Sequence, residues 1–311
     1  MKRLLFFLFI VFLIPIIIIS IFFKYNVKIK VSGFNSNIPE EKKVNIRVLK
    51  SDNTVENINL EDYLIGVVSS EVPVSFEDEA LKAQTVASRT YALKQIQNNK
   101  NNYYDVTDNV LSQVYSTNEE LKERWGENYE SNYNRIKKMV DETKGEYVSY
   151  NGDYIYAFFF STSNGKTEDN KNVFGADLPY LKPVDSSFDE EETSSFYKTI
   201  TFSKDEFYNK LGIEFSNKLN IDNIIRTESN RILNLDVNGT TFKGRDFQKK
   251  LSLRSNDFSV EEQDSEIIIT TKGFGHGVGL SQYGANALAK RKKTYRDILN
   301  YYYQGTEIKK L

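Results

Sequence analysis

The chain has 311 residues but no cysteine, a single histidine and only five prolines. Without cysteine it cannot form disulfides, use a thiolate nucleophile, or hold zinc or an iron–sulfur cluster through thiolates. A zinc hydrolase of the His-Glu-x-x-His type needs two histidines, so one histidine is too few. We therefore predict no metal and no cofactor.

An excess of charge of either sign is also missing. The 41 basic and 43 acidic residues nearly cancel, and no long block of Lys or Arg occurs. Nucleic-acid binders usually show a basic patch or stripe that neutralises phosphates. The composition therefore argues against nucleic acid as a partner.

The N-terminus contains the longest apolar run, at residues 4–23. At a rise of about 1.5 Å per residue, such a helix spans the roughly 30 Å hydrocarbon core of a bilayer. Lys2 and Arg3 precede it, which favours a cytoplasmic N-terminus and an extracytoplasmic remainder. We predict a single-pass membrane anchor over residues 4–23, followed by a polar tether over residues 24–40.

Residues 41–311 alternate helical and strand patterns without strict order, which predicts an α+β domain with mixed or antiparallel sheets and packed helices. Residues 186–260 are a candidate second lobe, and the acidic stretch 185–195 is predicted to be a solvated loop. The predicted hairpins surround 51–54, 151–152 and 238–239; strands are predicted at 154–160 and 266–271, and helices at 60–70, 76–97, 119–142, 280–290 and 295–303.

Glu71 taken by itself is one acid among many and could simply cap a helix end, but its context favours a functional acid. It lies between apolar valines at a bend before Pro73, since a proline disfavours helix in the residue that precedes it. The next helix, with Ser75 as a predicted cap, carries Lys82 and Arg89 seven residues apart and hence on one face. Partial burial raises a carboxyl pKa towards the range of a general acid, whereas nearby cations lower it.

His276 lies in a run of alternating glycines, residues 273–279. This spacing fits neither a dinucleotide fingerprint nor a phosphate-binding loop. Glycines on both sides allow the backbone to approach closely and fix the imidazole in one pose. Two interpretations stand: a functional histidine, or a packed turn in which the histidine is satisfied internally.

Several ordered segments together resemble the stage II sporulation protein D family. They are 61–73 (EDYLIGVVSSEVP), 80–91 (ALKAQTVASRTY), 160–165 (FSTSNG), 179–184 (PYLKPV) and 275–285 (GHGVGLSQYGA). The resemblance covers most of residues 41–311. It implies a lytic transglycosylase that cuts the β-1,4 bond between N-acetylmuramic acid and N-acetylglucosamine in peptidoglycan and leaves a 1,6-anhydro end.

The family's catalytic glutamate falls on Glu71, and its important basic and aromatic residues fall on Arg89, Tyr180 and Lys182. The resemblance further implies a role in forespore engulfment from the mother-cell membrane. It also implies two partners, the amidase stage II sporulation protein P and stage II sporulation protein M. Some relatives hold zinc through Cys and His; this chain has no Cys, so that metal is not expected here.

A single carboxyl group suffices for such a reaction, because the sugar's own C6 hydroxyl is the attacking group, whereas an ordinary glycosidase needs two carboxyl groups. From their side-chain types we expect ten residues to bind substrate, each in competition with a structural role. They are Lys82, Arg89, Tyr91, Ser161, Ser163, Tyr180, Lys182, His276, Gln282 and Tyr283. Two alternatives remain open: a non-catalytic, wall-binding enhancer of an amidase on the same fold, and a structural adaptor that binds no glycan.

Overall fold

A computed structural model describes residues 43–109 and 112–311. The predicted anchor (4–23) and tether (24–40) lie outside these residues. Among the helices of the described ranges, none combines the length and the apolar character that a membrane crossing requires.

The secondary structure is a mixture of short strands and helices. The helices are α1 Leu60–Glu71, α2 Asp78–Asn98, α3 Asn118–Trp125, α4 Tyr129–Glu142, α5 Asn170–Phe174, α6 Asp189–Glu192, α7 Lys204–Leu211, α8 Gly244–Lys250, α9 Gln282–Lys290 and α10 Tyr295–Tyr302, with a 3-10 turn at Gly126–Asn128. The strands are β1 Asn45–Leu49, β2 Val55–Asn59, β3 Val106–Thr107, β4 Glu146–Tyr150, β5 Asp153–Tyr154, β6 Phe159–Phe160, β7 Tyr197–Ser203, β8 Ile221–Arg226, β9 Ile232–Val237, β10 Thr240–Lys243, β11 Phe258–Gln263, β12 Glu266–Lys272, β13 Leu280–Ser281 and β14 Glu307–Lys310.

The described strands form five small sheets, in the orders β2-β1-β3, β14-β4-β5, β13-β6, β11-β12-β7 and β10-β9-β8. The pairs β1–β3 and β6–β13 are parallel and the others antiparallel. The predicted α+β class with mixed sheets is confirmed.

The hairpins predicted at the two Asn-Gly pairs are confirmed. Asn151-Gly152 and Asn238-Gly239 both have positive φ, as the tight turn between two antiparallel strands requires. The single strand predicted over 154–160 is wrong. Only its two ends are strands, because the Phe158 N–H turns back to the Tyr156 carbonyl at 2.9 Å and interrupts the extended chain.

The first hydrophobic core surrounds α2. This helix has buried residues on all of its faces and packs against α1, α4, α9 and α10, so it is an interior helix. The predicted cap at Ser75 is wrong, because the N-cap is Glu77 and its side chain makes no capping bond. Instead the Glu77 N–H donates to Asn286 Oδ1 of α9 at 2.9 Å, so a tertiary contact fixes the start of α2.

A second, separate hydrophobic cluster draws on residues 202–269. Phe207 of α7, Leu235 of β9 and Phe247 of α8 are fully buried in it, and the rings of Phe247 and Phe258 stack at 4.8 Å. This segment overlaps the predicted lobe over 186–260. The described residues thus contain two hydrophobic cores, and the Glu168 N–H donates to the Gly277 carbonyl of the glycine-rich run at 2.7 Å.

Candidate active site

Glu71 is the last residue of α1. The helix stops there because Val72 takes an extended conformation ahead of Pro73. The carboxyl group is neither fully buried nor exposed. Its backbone position is therefore fixed by a helix on one side and a proline bend on the other.

Neutral donors surround the Glu71 carboxyl group. The Val114 N–H donates to Oε1 at 2.8 Å, and the Gln282 side chain supplies a second hydrogen bond. Burial raises the pKa of Glu71, and these two bonds offset only part of the rise. Within residues 43–109 and 112–311 no Lys or Arg forms an ion pair with Glu71, so no cation lowers the pKa again.

A glycine inside α1 allows the Val114 segment to reach Glu71. A β-carbon at Gly66 would lie 2.4 Å from the Ser116 carbonyl oxygen and 2.5 Å from the Tyr115 ring. Residues 112–116 can therefore lie directly against α1 only because position 66 has no side chain. This contact presents the Val114 N–H to the carboxyl group one turn further along.

The other side of Glu71 is a polar stripe on α2. Gln282 Nε2 lies 3.4 Å from Gln84 Oε1, and Gln84 Nε2 donates to Ser88 Oγ at 3.0 Å. Tyr91, on the same face, bonds to Ser112. Burial raises the pKa of Tyr91, and the nearby Glu71 carboxylate raises it further. Gln84 was missed from the sequence, yet the recurrence of polar side chains at 84, 88 and 91, which is helical spacing on one face, was the available signal.

Of the ten predicted substrate-binding residues, Tyr91, Gln282 and Tyr283 therefore lie around Glu71. The Tyr283 ring contacts Phe76, just beyond the Pro73 bend, edge-on at 5.1 Å, and its N–H donates to the Ser161 carbonyl at 3.1 Å. These three residues come from two segments almost two hundred positions apart. The fold brings them together at the N-terminus of α9.

Arg89 and Lys82 are placed elsewhere. Both side chains lie on one face of α2, as predicted, and reach the C-terminal end of α4. Each is paired with an acid, Lys82 with Glu142 and Arg89 with Glu61. Arg89 is fully buried, with Nη2 2.6 Å from Glu61 Oε2 and Nη1 3.1 Å from the Glu146 carbonyl. Burial lowers the pKa of Lys82, but bonds to Glu142 and Glu79 outweigh this and raise it to about 12.

Tyr180 and Lys182 likewise make contacts that stabilise the loop in which they lie. The Tyr180 ring is buried, and its hydroxyl accepts the Tyr156 N–H at 3.3 Å. Lys182 Nζ donates to Asp169 Oδ2 at 2.9 Å and also binds Asp177. These contacts close the loop between α5 and the 182–184 segment, so the structure gives both residues a positioning role.

Ser163 contacts a residue that sequence reasoning missed, Asp189, and Ser161 lies beside it, with its carbonyl accepting the Ser281 hydroxyl at 3.4 Å. The stretch 185–195 was predicted to be solvated, but Asp189 is fully buried. Its carboxyl accepts the Ser163 N–H at 2.7 Å and the Ser186 hydroxyl at 2.6 Å, and it binds the Ser281 hydroxyl. Burial raises the pKa of Asp189 to about 6. This network joins the 161–164 turn to the residues just before Gln282.

His276 lies further along the same surface, among aromatic rings. Phe174, Phe160 and Phe158 have centroids 5.3, 5.7 and 6.2 Å from the imidazole. Nδ1 accepts the Val278 N–H at 3.0 Å, so the ring is held by its own loop. Burial, followed by Arg231 and Arg245, lowers the pKa of His276 to about 3, so the imidazole is neutral at physiological pH.

Phe158 joins His276 to the Glu71 region. Its ring lies 6.5 Å from Tyr91, 5.9 Å from Tyr156 and 4.5 Å from Phe174. An aromatic surface of this kind suits the apolar face of a sugar ring. No group of three or more His, Asp or Glu side chains is placed to hold a metal ion in the described part of the chain.

Comparison with known proteins agrees with the family suggested by the sequence motifs. Residues 49–150 match the SpoIID family, described as stage II sporulation protein. The stage II sporulation protein D of Bacillus subtilis is 43% identical over 85% of this chain and 79% of its own length, and that of Bacillus amyloliquefaciens is 42% identical over 86% and 80%. A protein named amidase enhancer from Bacillus subtilis is 30% identical over 79% of this chain and 40% of its own length.

Proposed function

Because the chain belongs to the stage II sporulation protein D family, with a cell-wall-related role in sporulation, we propose that it is a peptidoglycan lytic transglycosylase. It cuts the β-1,4 bond between N-acetylmuramic acid and N-acetylglucosamine and leaves a 1,6-anhydro-muramic end. The anchor at 4–23 holds it in the mother-cell membrane with the catalytic domain outside the cytoplasm. There it acts in engulfment, with the amidase stage II sporulation protein P and stage II sporulation protein M as partners.

The observation that carries the proposal is the environment of Glu71. A half-buried carboxyl group with only neutral hydrogen-bond partners keeps its proton to a higher pH than an ordinary glutamate. It can therefore donate that proton to the glycosidic oxygen as the bond breaks. The resulting carboxylate then accepts the proton of the C6 hydroxyl, which attacks the oxocarbenium-like centre.

A second carboxyl group is not needed in this scheme, because the nucleophile belongs to the substrate. Gln282 and the Val114 N–H hold the carboxyl group in place while it changes charge. Tyr91, Tyr283 and Phe158 offer faces on which sugars can stack, and His276 bonds as a neutral group. Arg89, Lys82, Tyr180 and Lys182 contribute through the fold, by their ion pairs and hydrogen bonds.

The experiment is a digest of peptide-free glycan strands by the full-length chain in detergent micelles. Glu71→Gln should reduce release of anhydro-muramic products by about 10²- to 10⁴-fold while glycan binding persists. Glu77→Gln, an exposed acid six positions away, is the matched control and should cleave normally. Unchanged product from Glu71→Gln would remove this carboxyl from the mechanism.

The second candidate function is a non-catalytic enhancer of an amidase, favoured by the similarity to the protein named amidase enhancer. In that case the wild-type chain binds glycan, yields no anhydro product and increases the rate of an added amidase. Glu71→Gln would then enhance the amidase as well as wild type does. The two candidates thus differ in the product and in the need for Glu71.

A further inference from the structure

A cavity of about 830 Å³ lies between the two hydrophobic cores. We call it the cationic cavity. Val173 packs against the first core, and Ile232 and Leu253 belong to the second. Its walls are Glu168, Asn172 and Val173 on one side and Lys243, Arg245 and Lys249 on the other. Its volume is in the range of sites that bind small molecules or parts of larger ligands.

The three basic residues of the cationic cavity form no contact ion pair in the described ranges, although the nearby Asp246 acts electrostatically on Arg245. Elsewhere in the described chain, Lys82, Lys94 and Lys204 are in ion pairs. In contrast, neither Lys243, Arg245 nor Lys249 forms an ion pair with any residue in the described ranges. Arg245 instead donates to the Val173 carbonyl at 2.8 Å and lies over the Phe174 ring at 5.5 Å.

A fourth cation lies behind the cavity wall. Arg231 is fully buried, and its Nη1 donates to Asn256 Oδ1 at 3.3 Å and to the Gly275 carbonyl at 3.2 Å. Its Nε and Nη2 have no hydrogen-bond partner within the described residues. Burial lowers the pKa of Arg231 to about 10, which leaves it protonated at neutral pH.

The acidic groups at the cavity are fewer. Glu168 already accepts the Thr227 hydroxyl at 2.5 Å, the Asn172 amide at 2.9 Å and the Asp169 N–H at 2.8 Å, together with the Ser229 hydroxyl. Asp246 is the other acid on the wall. Three cations thus line the cavity with two acids, in a protein whose net charge is −2, and the buried Arg231 lies behind them. The cavity suits an anion.

The cavity is continuous with the surface that contains Glu71. Arg245 lies over Phe174, Phe174 stacks on Phe158 at 4.5 Å, and Phe158 lies 6.5 Å from Tyr91 beside the carboxyl group. A strand that rests its sugar faces on these rings would extend its next substituents towards Arg245. The ligand of the cavity is therefore expected to be part of the same polymer.

We propose that the cationic cavity binds a carboxylate of the glycan strand, at a distance from the bond that is cleaved. This inference rests on the proposed function for its substrate. Every muramic residue carries a lactyl ether, whose carboxyl group is either free or joined to a stem peptide that has carboxylates of its own. Lys249 and Arg245 would pair with that carboxylate through charge-assisted hydrogen bonds.

The test measures binding by calorimetry, with the full-length chain carrying Glu71→Gln so that cleavage does not consume the ligand. Three tetrasaccharides are compared: alternating N-acetylglucosamine and N-acetylmuramic acid with free lactyl groups, the same strand with stem peptides, and chitotetraose, which has no carboxylate. Arg245→Gln with Lys249→Gln is the test variant. Lys210→Gln, an exposed lysine of α7 in the same lobe, is the matched control.

We expect a carboxylated strand to bind at least about tenfold more tightly than chitotetraose, and this preference to weaken with salt. The double variant should lose the preference but bind chitotetraose normally, and Lys210→Gln should change neither. If the double variant folds poorly, the single change Lys249→Gln at an exposed side chain should still reduce the preference. Preference for the free lactyl strand or for the peptide-bearing strand identifies the source of the carboxylate.

Equal binding of all three tetrasaccharides, or a preference that survives the double variant, contradicts the proposal. Because only binding is measured, this outcome is separate from the fate of the proposed reaction. If the chain cleaves glycan but shows no preference for a carboxylated strand, the proposed function stands and the carboxylate site is wrong.

Discussion

The two ends of α1 each carry a glutamate, and the two have opposite surroundings. At the first turn, Glu61 holds the buried guanidinium of Arg89 at 2.6 Å and accepts the Gly145 N–H at 3.3 Å. At the last turn, Glu71 has a backbone N–H and an amide as partners, and its pKa is raised by burial. Both side chains are half-buried.

The comparison shows that burial alone does not mark an acid for catalysis. A paired carboxylate stays ionised and contributes to the fold, whereas an acid held by neutral donors can keep its proton and exchange it. Arg89 was expected to bind sugar. Its ion pair with Glu61 instead gives it a role in the stability of the fold, which does not require contact with substrate. The predictions below test this division, from the largest effect to the smallest.

Replacing Arg89 with Met should lower the free energy of unfolding by about 3–5 kcal/mol, because Glu61 is left charged and unpaired. Urea denaturation measures the change. The double variant Arg89→Met with Glu61→Leu should recover much of the loss, since it removes both charges. If Arg89 acts on substrate instead, the double variant will be stable but will cleave glycan far more slowly than wild type.

Asp189 gives a third environment, with neutral donors like those of Glu71 but complete burial. Asp189→Asn should destabilise the fold by about 1–3 kcal/mol, because one of the donors from Ser163, Ser186 and Ser281 loses its acceptor. Its raised pKa means that the native state binds the proton more tightly than the unfolded state does. The stabilisation from that proton is complete below the ordinary aspartate pKa and is lost as the pH rises through about 6.

The stability difference between wild type and Asp189→Asn should accordingly be larger at pH 4.5 than at pH 7. Urea denaturation at both pH values measures it. A difference that is the same at both would show that the buried carboxyl does not titrate in this window.

Gln282→Met should raise the pKa of Glu71 further, because it removes a hydrogen bond that favours the ionised form. Activity requires the protonated acid, so it falls as the pH rises through this pKa. The alkaline limb of the pH–rate profile should therefore move to higher pH in the variant. Gln97→Met, an exposed glutamine near the end of α2, should leave the limb unchanged. A shift to lower pH would contradict the assignment of Glu71 as the acid.

The smallest effect is expected at His276. Its pKa of about 3 keeps the imidazole neutral between pH 5 and 9, so His276→Gln should alter KM without changing the shape of the pH–rate profile. A lowered pKa also means that the native state resists protonation, so the stability of wild type relative to the variant should fall as the pH drops below about 6.5. Loss of a limb from the profile in this variant would instead make the histidine a proton carrier.

Local patterns predicted the parts of the fold that depend on neighbouring residues. The Asn-Gly hairpins, the helix ending at Glu71 and the helical character of 119–142 follow from turn chemistry and periodicity. Gln282 was predicted only to bind substrate, and the structure shows that its side chain also bonds to Glu71.

What the sequence could not supply was the choice of long-range partners. Arg89 pairs with an acid 28 positions earlier, and no local rule selects Glu61 over its neighbour Asp62. Asp189 begins a run of four acids, which is typical of a solvated loop, yet the neighbouring Ser186 and two donors from distant turns, Ser163 and Ser281, make its burial favourable. The position of Glu71 at the end of a helix was predictable, while the lack of a cation paired with it among the described residues became visible only from the packing.

The most direct measurement is a digest of peptide-free glycan strands in water enriched in oxygen-18. If Glu71 passes its proton to the leaving oxygen and the muramic C6 hydroxyl closes the ring, the new muramic ends are one water lighter than a hydrolysed end and contain no oxygen-18. Muramic ends that incorporate one oxygen-18 atom would show that water is the attacking group and would contradict the single-carboxylate mechanism.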